Sequence, residues 1–169
     1  MTASIEPRCP DCGVPGVASP DACRELFAEV GAREFADQAF FCAHRLTVDA
    51  YCLQHPDAYM KSSKSAAAHL AAMCWSMEYG GTRHLPKALK RWVDGPRTYP
   101  RVTPPPRLRR GALTVHHVLG VGDPDEYAKR AEGWARSAWE AWGEHHDRAR
   151  AWVALAGRGR TGRWRAPRS

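Results

Sequence analysis

The stretch DPDEYAKRAEGWARSAWEAWGEHHDRARAW, residues 123–152, decides the fold class. Asp123 is a helix N-cap residue, Pro124 suits the first helical position, and Asp125 and Glu126 suit the positive end of the helix dipole. Apolar or bulky side chains then recur at Tyr127, Ala131, Trp134, Ala138, Trp142, His145, Ala149 and Trp152. Steps of three and four make one continuous stripe along a helix, and a stripe this long needs other helices to cover it.

The rest of the chain supplies them. Ser19-Pro20-Asp21 opens a helix expected over Pro20 to Val30 and stopped by Gly31. A longer one is expected from Glu34 to Gln54, ending at His55 because Pro56 disfavours α geometry before it. A third follows Ser62 or Ser65 and ends at Tyr79, before Gly80-Gly81. Short helices fit Leu85 to Val93 and, after a Thr114 cap, Val115 to Leu119. Pro104-Pro105-Pro106 is a stiff extended segment. No strand alternation and no internal repeat stands out. The expected architecture is all-α and bundle-like, with a small irregular N-terminal knuckle segment.

At 169 residues the chain suits a single domain able to bury a core without disulfides. We expect that domain over residues 1–156, with 1–18 as the knuckle segment and 80–122 as a proline-rich connection. Residues 157–169 read as a basic tail. The formal net charge is +7, but RGRTGRWRAPRS after Gly157 holds five arginines and no acid. The body is therefore close to balanced, at about +2, which weighs against a nucleic-acid-binding face on the fold itself. Nucleic acid is an expected partner only through the tail, whose plainer reading is a solvated, disordered end. No stretch approaches the roughly 20 apolar residues of a membrane span, and the first residues contain no secretion-type apolar region. The expected location is the cytoplasm, where six cysteines point to metal or catalysis before disulfides.

Cys9-Pro10-Asp11-Cys12-Gly13 is the most specific motif. C-x-x-C thiolates can grip one tetrahedral ion, the proline stiffens the turn, and the glycine tolerates the positive φ that turns backbone N–H groups toward sulfur. No strand precedes the pair, which argues against a thioredoxin-like redox role. A structural zinc site needs four ligands. With the first helical hairpin turning near Gly31-Ala32, Cys23 and His44 come to similar heights, giving Cys9, Cys12, Cys23 and His44 as the expected Zn²⁺ ligands. A rival completion uses Cys52 with His55.

Histidines also line facing helices. Phe40, His44, Val48, Tyr51 and His55 form one stripe, and Ala66, His69, Leu70, Met73 and Met77 form its match. His55, His69 and His145, with Asp49 or Gln54 near them, are the candidate catalytic groups, since facing imidazoles and a carboxylate suit a metal or a general base. The plainer reading makes each a hydrogen-bonded core residue and pairs Asp49 with Arg45 on the surface.

Taken in order, CPDCG, HRLTVDAYCLQHP, SAAAHLAAM, GALTV and WARSAWEAWGEHH resemble the motifs of an uncharacterised bacterial domain family without an assigned activity, over nearly all of residues 9–152. The resemblance implies a shared fold. It also implies that Cys9, Cys12, Cys23, His44, Asp49, Gln54, His55 and His69 occupy motif positions, while the place of Cys52 usually holds a small residue. The function expected is a binding or regulatory module with structural zinc and an unidentified protein or small-molecule partner. The alternative is a small metal-dependent enzyme of hydrolase or thiol-transferase type that uses the inter-helix histidines.

Overall fold

The computed structural model describes residues 6–81 and 84–158. The arginine-rich tail expected beyond Gly157 lies almost wholly outside the described residues. Those described form eight α-helices and two 3₁₀ turns: α1 Pro20–Ala36, α2 Gln38–Phe41, α3 His44–Gln54, α4 Pro56–Tyr59, α5 Ser63–Tyr79, α6 Lys87–Asp94, α7 Pro124–Ala141 and α8 His146–Gly157. The 3₁₀ turns are Val115–His117 and Gly143–His145. The expected all-α architecture holds, and among the described residues the one β-type contact is an isolated bridge between Arg8 and Pro15.

Capping chemistry sets the ends. Ser19, Asp37, Ser62 and Asp123 each accept a bond from a backbone N–H in the first turn that follows them. Gly80, at φ +72°, closes α5 in the left-handed conformation that glycine adopts freely. Three expectations are corrected. The helix expected from Glu34 to Gln54 is divided at Cys42 and Ala43 into α2 and α3. α1 does not stop at Gly31 but runs on to Ala36, because burial of Val30 and Glu34 outweighs the ~1 kcal/mol that an interior glycine costs. The chain breaks instead at Asp37, whose extended backbone ends α1 while its carboxylate starts α2. The C-terminal stripe is likewise carried by two helices, α7 and α8, joined at Trp142 and the following 3₁₀ turn.

α3 is the central element. It packs on α7 along one side and on α5 along the other, while α8 covers the far face of α5 and also holds α6. Leu46, Ala50, Tyr51 and Leu53 are buried on α3, as are Tyr127, Ala131, Trp134, Ala138 and Trp142 of the C-terminal stripe. At roughly 1.5–3 kcal/mol for each large apolar side chain removed from water, this stripe is the main source of cohesion. The indole N–H groups are satisfied within it: Trp134 Nε1 donates to Gln54 Oε1 at 2.9 Å and Trp142 Nε1 to the Leu53 carbonyl at 3.1 Å.

The proline-rich segment is tied down over Arg107 to Leu113. Gln54 Nε2 donates to the carbonyls of Arg110 (3.1 Å) and Leu113 (2.7 Å), and Ser137 Oγ accepts from the N–H groups of Ala112 and Leu113. Between them Gly111, at φ +117°, lies so close to α7 that a Cβ would fall 3.0 Å from the Ser137 carbonyl oxygen. Further back, Leu108 N–H donates to the Asp11 carbonyl at 3.0 Å, and the Asp11 carboxylate meets Arg107 (3.2 Å) and Arg110 (3.6 Å). The segment therefore clamps the N-terminal knuckle onto the helices.

Candidate metal centre

The knuckle is built by its own backbone. Gly13 N–H donates to the Cys9 carbonyl and Cys9 N–H to the Val14 carbonyl, each at 2.9 Å. Gly13 sits at φ +78°, which a side chain would resist, so CPDCG folds into a tight loop that presents both sulfurs on one side. Cys23 comes from the first turns of α1, fixed by the Ser19 cap and by its own N–H to the Ser19 carbonyl.

The fourth member is His55. Its Nε2 lies 3.4 Å from Cys23 Sγ and 3.7 Å from Cys9 Sγ, and Cys12 Sγ lies 3.7 Å from Cys23 Sγ. All four donor atoms fall within 4.8 Å of one another, and all four residues are buried. A tetrahedral ion with Zn–S near 2.3 Å and Zn–N near 2.0–2.1 Å has ligand–ligand edges of roughly 3.5–3.8 Å, so the measured separations suit one. The cysteines are free thiols: 3.7 Å between Cys12 and Cys23 is far beyond a disulfide bond of about 2.05 Å.

The setting of His55 carries further information. Its Nδ1 is 2.9 Å from the Tyr51 carbonyl oxygen, which can only accept, so Nδ1 bears the proton and Nε2 offers a lone pair to the sulfurs. Anchoring the remote imidazole nitrogen on a carbonyl is the usual outer arrangement of a metal-bound histidine. The Tyr51 ring stacks on His55 at 4.1 Å, and Phe27 stacks on the other side of Tyr51 at 4.1 Å. The Tyr51 hydroxyl also bonds to Cys23, and burial holds its phenol well above the ordinary range. Hydrogen bonding to Cys23 and then burial push the Cys12 thiol up to about 12, and burial raises Cys9. Without a cation among them these sulfurs retain protons.

Of the expected ligand set, Cys9, Cys12 and Cys23 come together and His44 does not join them. His44 Nδ1 bonds to Glu34 Oε2 at 2.7 Å, with its ring against Phe35 and Phe41. The cause is the shifted break at Asp37. Moving the hairpin six residues past Gly31 displaces the register by about 9 Å along the helix, which brings Cys23 level with the far end of α3. Pro56 completes the effect. It forces His55 to φ −125°, ψ 52°, out of the helix, so the side chain turns back over the Tyr51 carbonyl. The rival pairing of Cys52 with His55 does not form either: His55 joins Cys9, Cys12 and Cys23, and Cys52 is not among them.

Of the candidate catalytic groups only Asp49 and His69 come together. His69 Nδ1–H donates to Asp49 Oδ1 at 2.9 Å, Gln54 is consumed by its bonds to Trp134, Arg110 and Leu113, and His145 Nε2 lies 2.7 Å from the Thr103 carbonyl oxygen. Asp49 does pair with Arg45, at 3.1 Å, but at a buried site between α3 and α5 and not on the surface. Tyr51 was not among the sequence candidates. Its signal is its place four residues before a histidine that a proline ejects from the helix.

A family model described as a family of unknown function (DUF5946) matches residues 7–143. The chain belongs to that family. No curated protein and no solved structure matches it. The matched span contains all four members of the cluster, the Asp49–His69 pair and the whole of α7, and it ends before α8. Among the described residues no helix is long and apolar enough to cross a membrane.

Proposed function

We propose that the chain is a helical binding or regulatory module held by one structural zinc ion, with Cys9, Cys12, Cys23 and His55 as ligands. The observation that carries this reading is the Tyr51 carbonyl on His55 Nδ1, which turns the Nε2 lone pair into a ring of three buried thiols. Three sulfurs and one imidazole favour a borderline-soft ion such as Zn²⁺ over a hard one. Four protein donors fill a tetrahedral coordination sphere and leave no place for a substrate or an activated water, which supports a structural ion. What the ion would do is mechanical: it joins the knuckle, α1 and the end of α3.

Metal content of untagged protein tests the proposal, together with the Cys9→Ser, His55→Ala and His44→Ala variants. The expected result is one zinc per chain, lost in Cys9→Ser and His55→Ala with a fall in melting temperature, and retained in His44→Ala. Zinc retained in His55→Ala and lost in His44→Ala would return the fourth ligand to His44. Protein that binds no metal under any preparation would overturn the reading.

A further inference from the structure

The sulfurs of the cluster are placed for a second chemistry. Cys12 Sγ lies 3.7 Å from Cys23 Sγ, while Cys9 Sγ meets His55 Nε2 at 3.7 Å. A disulfide measures about 2.05 Å, so the Cys12–Cys23 pair has less than about 2 Å to close. The two sulfurs stand on different segments, one on the knuckle loop and one on α1. A bond between them would tie those segments together, as an ion does. A bond between Cys9 and Cys12 would stay inside the knuckle and tie nothing.

Access also differs within the cluster. Cys12 is 6% exposed, whereas Cys9 and Cys23 are 0% exposed, so a small oxidant meets Cys12 first. Bound to a cation, a cysteine sulfur is a thiolate, the form that oxidants attack. A reachable thiolate beside a second sulfur is the arrangement of a redox-sensing cysteine with its resolving partner. Cys42 differs: it is partly exposed, but its sulfur faces the Gln38 carbonyl oxygen at 3.6 Å, which cannot form a disulfide.

We propose, resting on the four-ligand reading above, that the cluster is a peroxide-sensitive switch: Cys12 is oxidised, Cys23 resolves it, and the ion is released. The Cys12 thiolate attacks one oxygen of hydrogen peroxide. An S–O bond forms, the O–O bond breaks, and hydroxide leaves. Cys23 sulfur then attacks Cys12 sulfur, so that the S–S bond forms as the S–O bond breaks and a second hydroxide leaves. Both hydroxides take protons from solvent and become water. The two sulfurs together give up two electrons, and the peroxide takes them.

The step consumes two of the four donors, and Cys9 with His55 is too small a set to hold the ion in place. The disulfide keeps the knuckle on α1, while the end of α3 loses its link. Oxidation thus exchanges a brace of three segments for a brace of two. A dithiol reverses the exchange: its two sulfurs become a disulfide, and Cys12 and Cys23 return as thiols able to bind zinc again.

The test is hydrogen peroxide added to the zinc-loaded full chain, its zinc content measured beforehand. Released zinc is followed with a chromogenic chelator, and disulfides are located by peptide mass spectrometry. One zinc lost for each Cys12–Cys23 bond formed is the expected result, both reversed by dithiothreitol and added Zn²⁺. Cys23→His keeps a fourth donor but no resolving sulfur, so peroxide should drive Cys12 on to sulfinic acid, which dithiothreitol does not reverse. Should that variant not hold zinc, the disulfide map of the wild-type chain decides alone. Cys42→Ser should release zinc as the wild type does. A chain without zinc before peroxide fails the ligand reading and the switch with it. Zinc retained under peroxide, or lost with a Cys9–Cys12 bond or with no disulfide, overturns the switch and leaves the ligand reading standing.

Discussion

Glu34 is fully buried and accepts from three donors: the Tyr127 hydroxyl at 2.6 Å, the Thr47 hydroxyl at 2.8 Å and His44 at 2.7 Å. Gln54 plays a similar part at the other end of α3, between Trp134 and the proline-rich segment. Neither role is written in local sequence. A glutamate three residues past a glycine reads as an ordinary helix surface until the partners on α3 and α7 are known. Because Gln54→Ala strands one indole donor and two carbonyls and opens a void, it should cost about 3–5 kcal/mol in urea unfolding, with zinc content unchanged. His69 makes a pH prediction. Its folded pKa is about 10 against an ordinary 6.5, so the stability it contributes is full below about pH 6.5 and fades as pH rises toward 10. The stability gap between wild type and His69→Gln, read by urea unfolding across pH 6 to 10, should narrow steadily in that direction.

At the scale of elements, legibility followed the strength of local chemistry. α7 begins at the expected residue because Asp123 has no rival cap nearby, α5 begins after Ser62, the first of the two serines that offered a start, and α3 ends where Pro56 requires. The break between α1 and α2 was misplaced, since Gly31 is the stronger local stop signal and only the burial of Glu34 among its partners overrides it. That single displacement accounts for the choice of His44 over His55. The two histidines stand eleven residues apart, about 16 Å along a helix, so no one ion can take both. The proline-rich connection was legible as irregular but not as a clamp, because its bonds to Asp11, Gln54 and Ser137 run to distant parts of the chain. Gly111→Ala tests the clamp: a side chain at φ +117° pressed against α7 should cost about 1–3 kcal/mol by thermal or urea unfolding.

Over the whole molecule the thiols of the cluster predict how an ion enters. With Cys12 at about 12 and Cys9 raised, binding must expel their protons. Titration calorimetry of the metal-free chain in buffers of different ionisation enthalpy should report proton release on zinc binding near neutral pH, with at least the two protons of Cys9 and Cys12 expelled. Release near zero would mean that Cys9 and Cys12 do not ligate.

The four members of the cluster all fall between residues 9 and 55, while α7, which packs along α3, begins only at Pro124. A chain emerging from the ribosome has made all four members of the cluster long before it has made the helix that covers α3. With zinc bound as proposed, α1 and the end of α3 are pinned together during that interval, and the exposed apolar face of α3 is held in the register that α7 will need. The ion would then serve first as a timing device of synthesis, keeping an unfinished protein on its path, and only afterwards as a brace of the finished one.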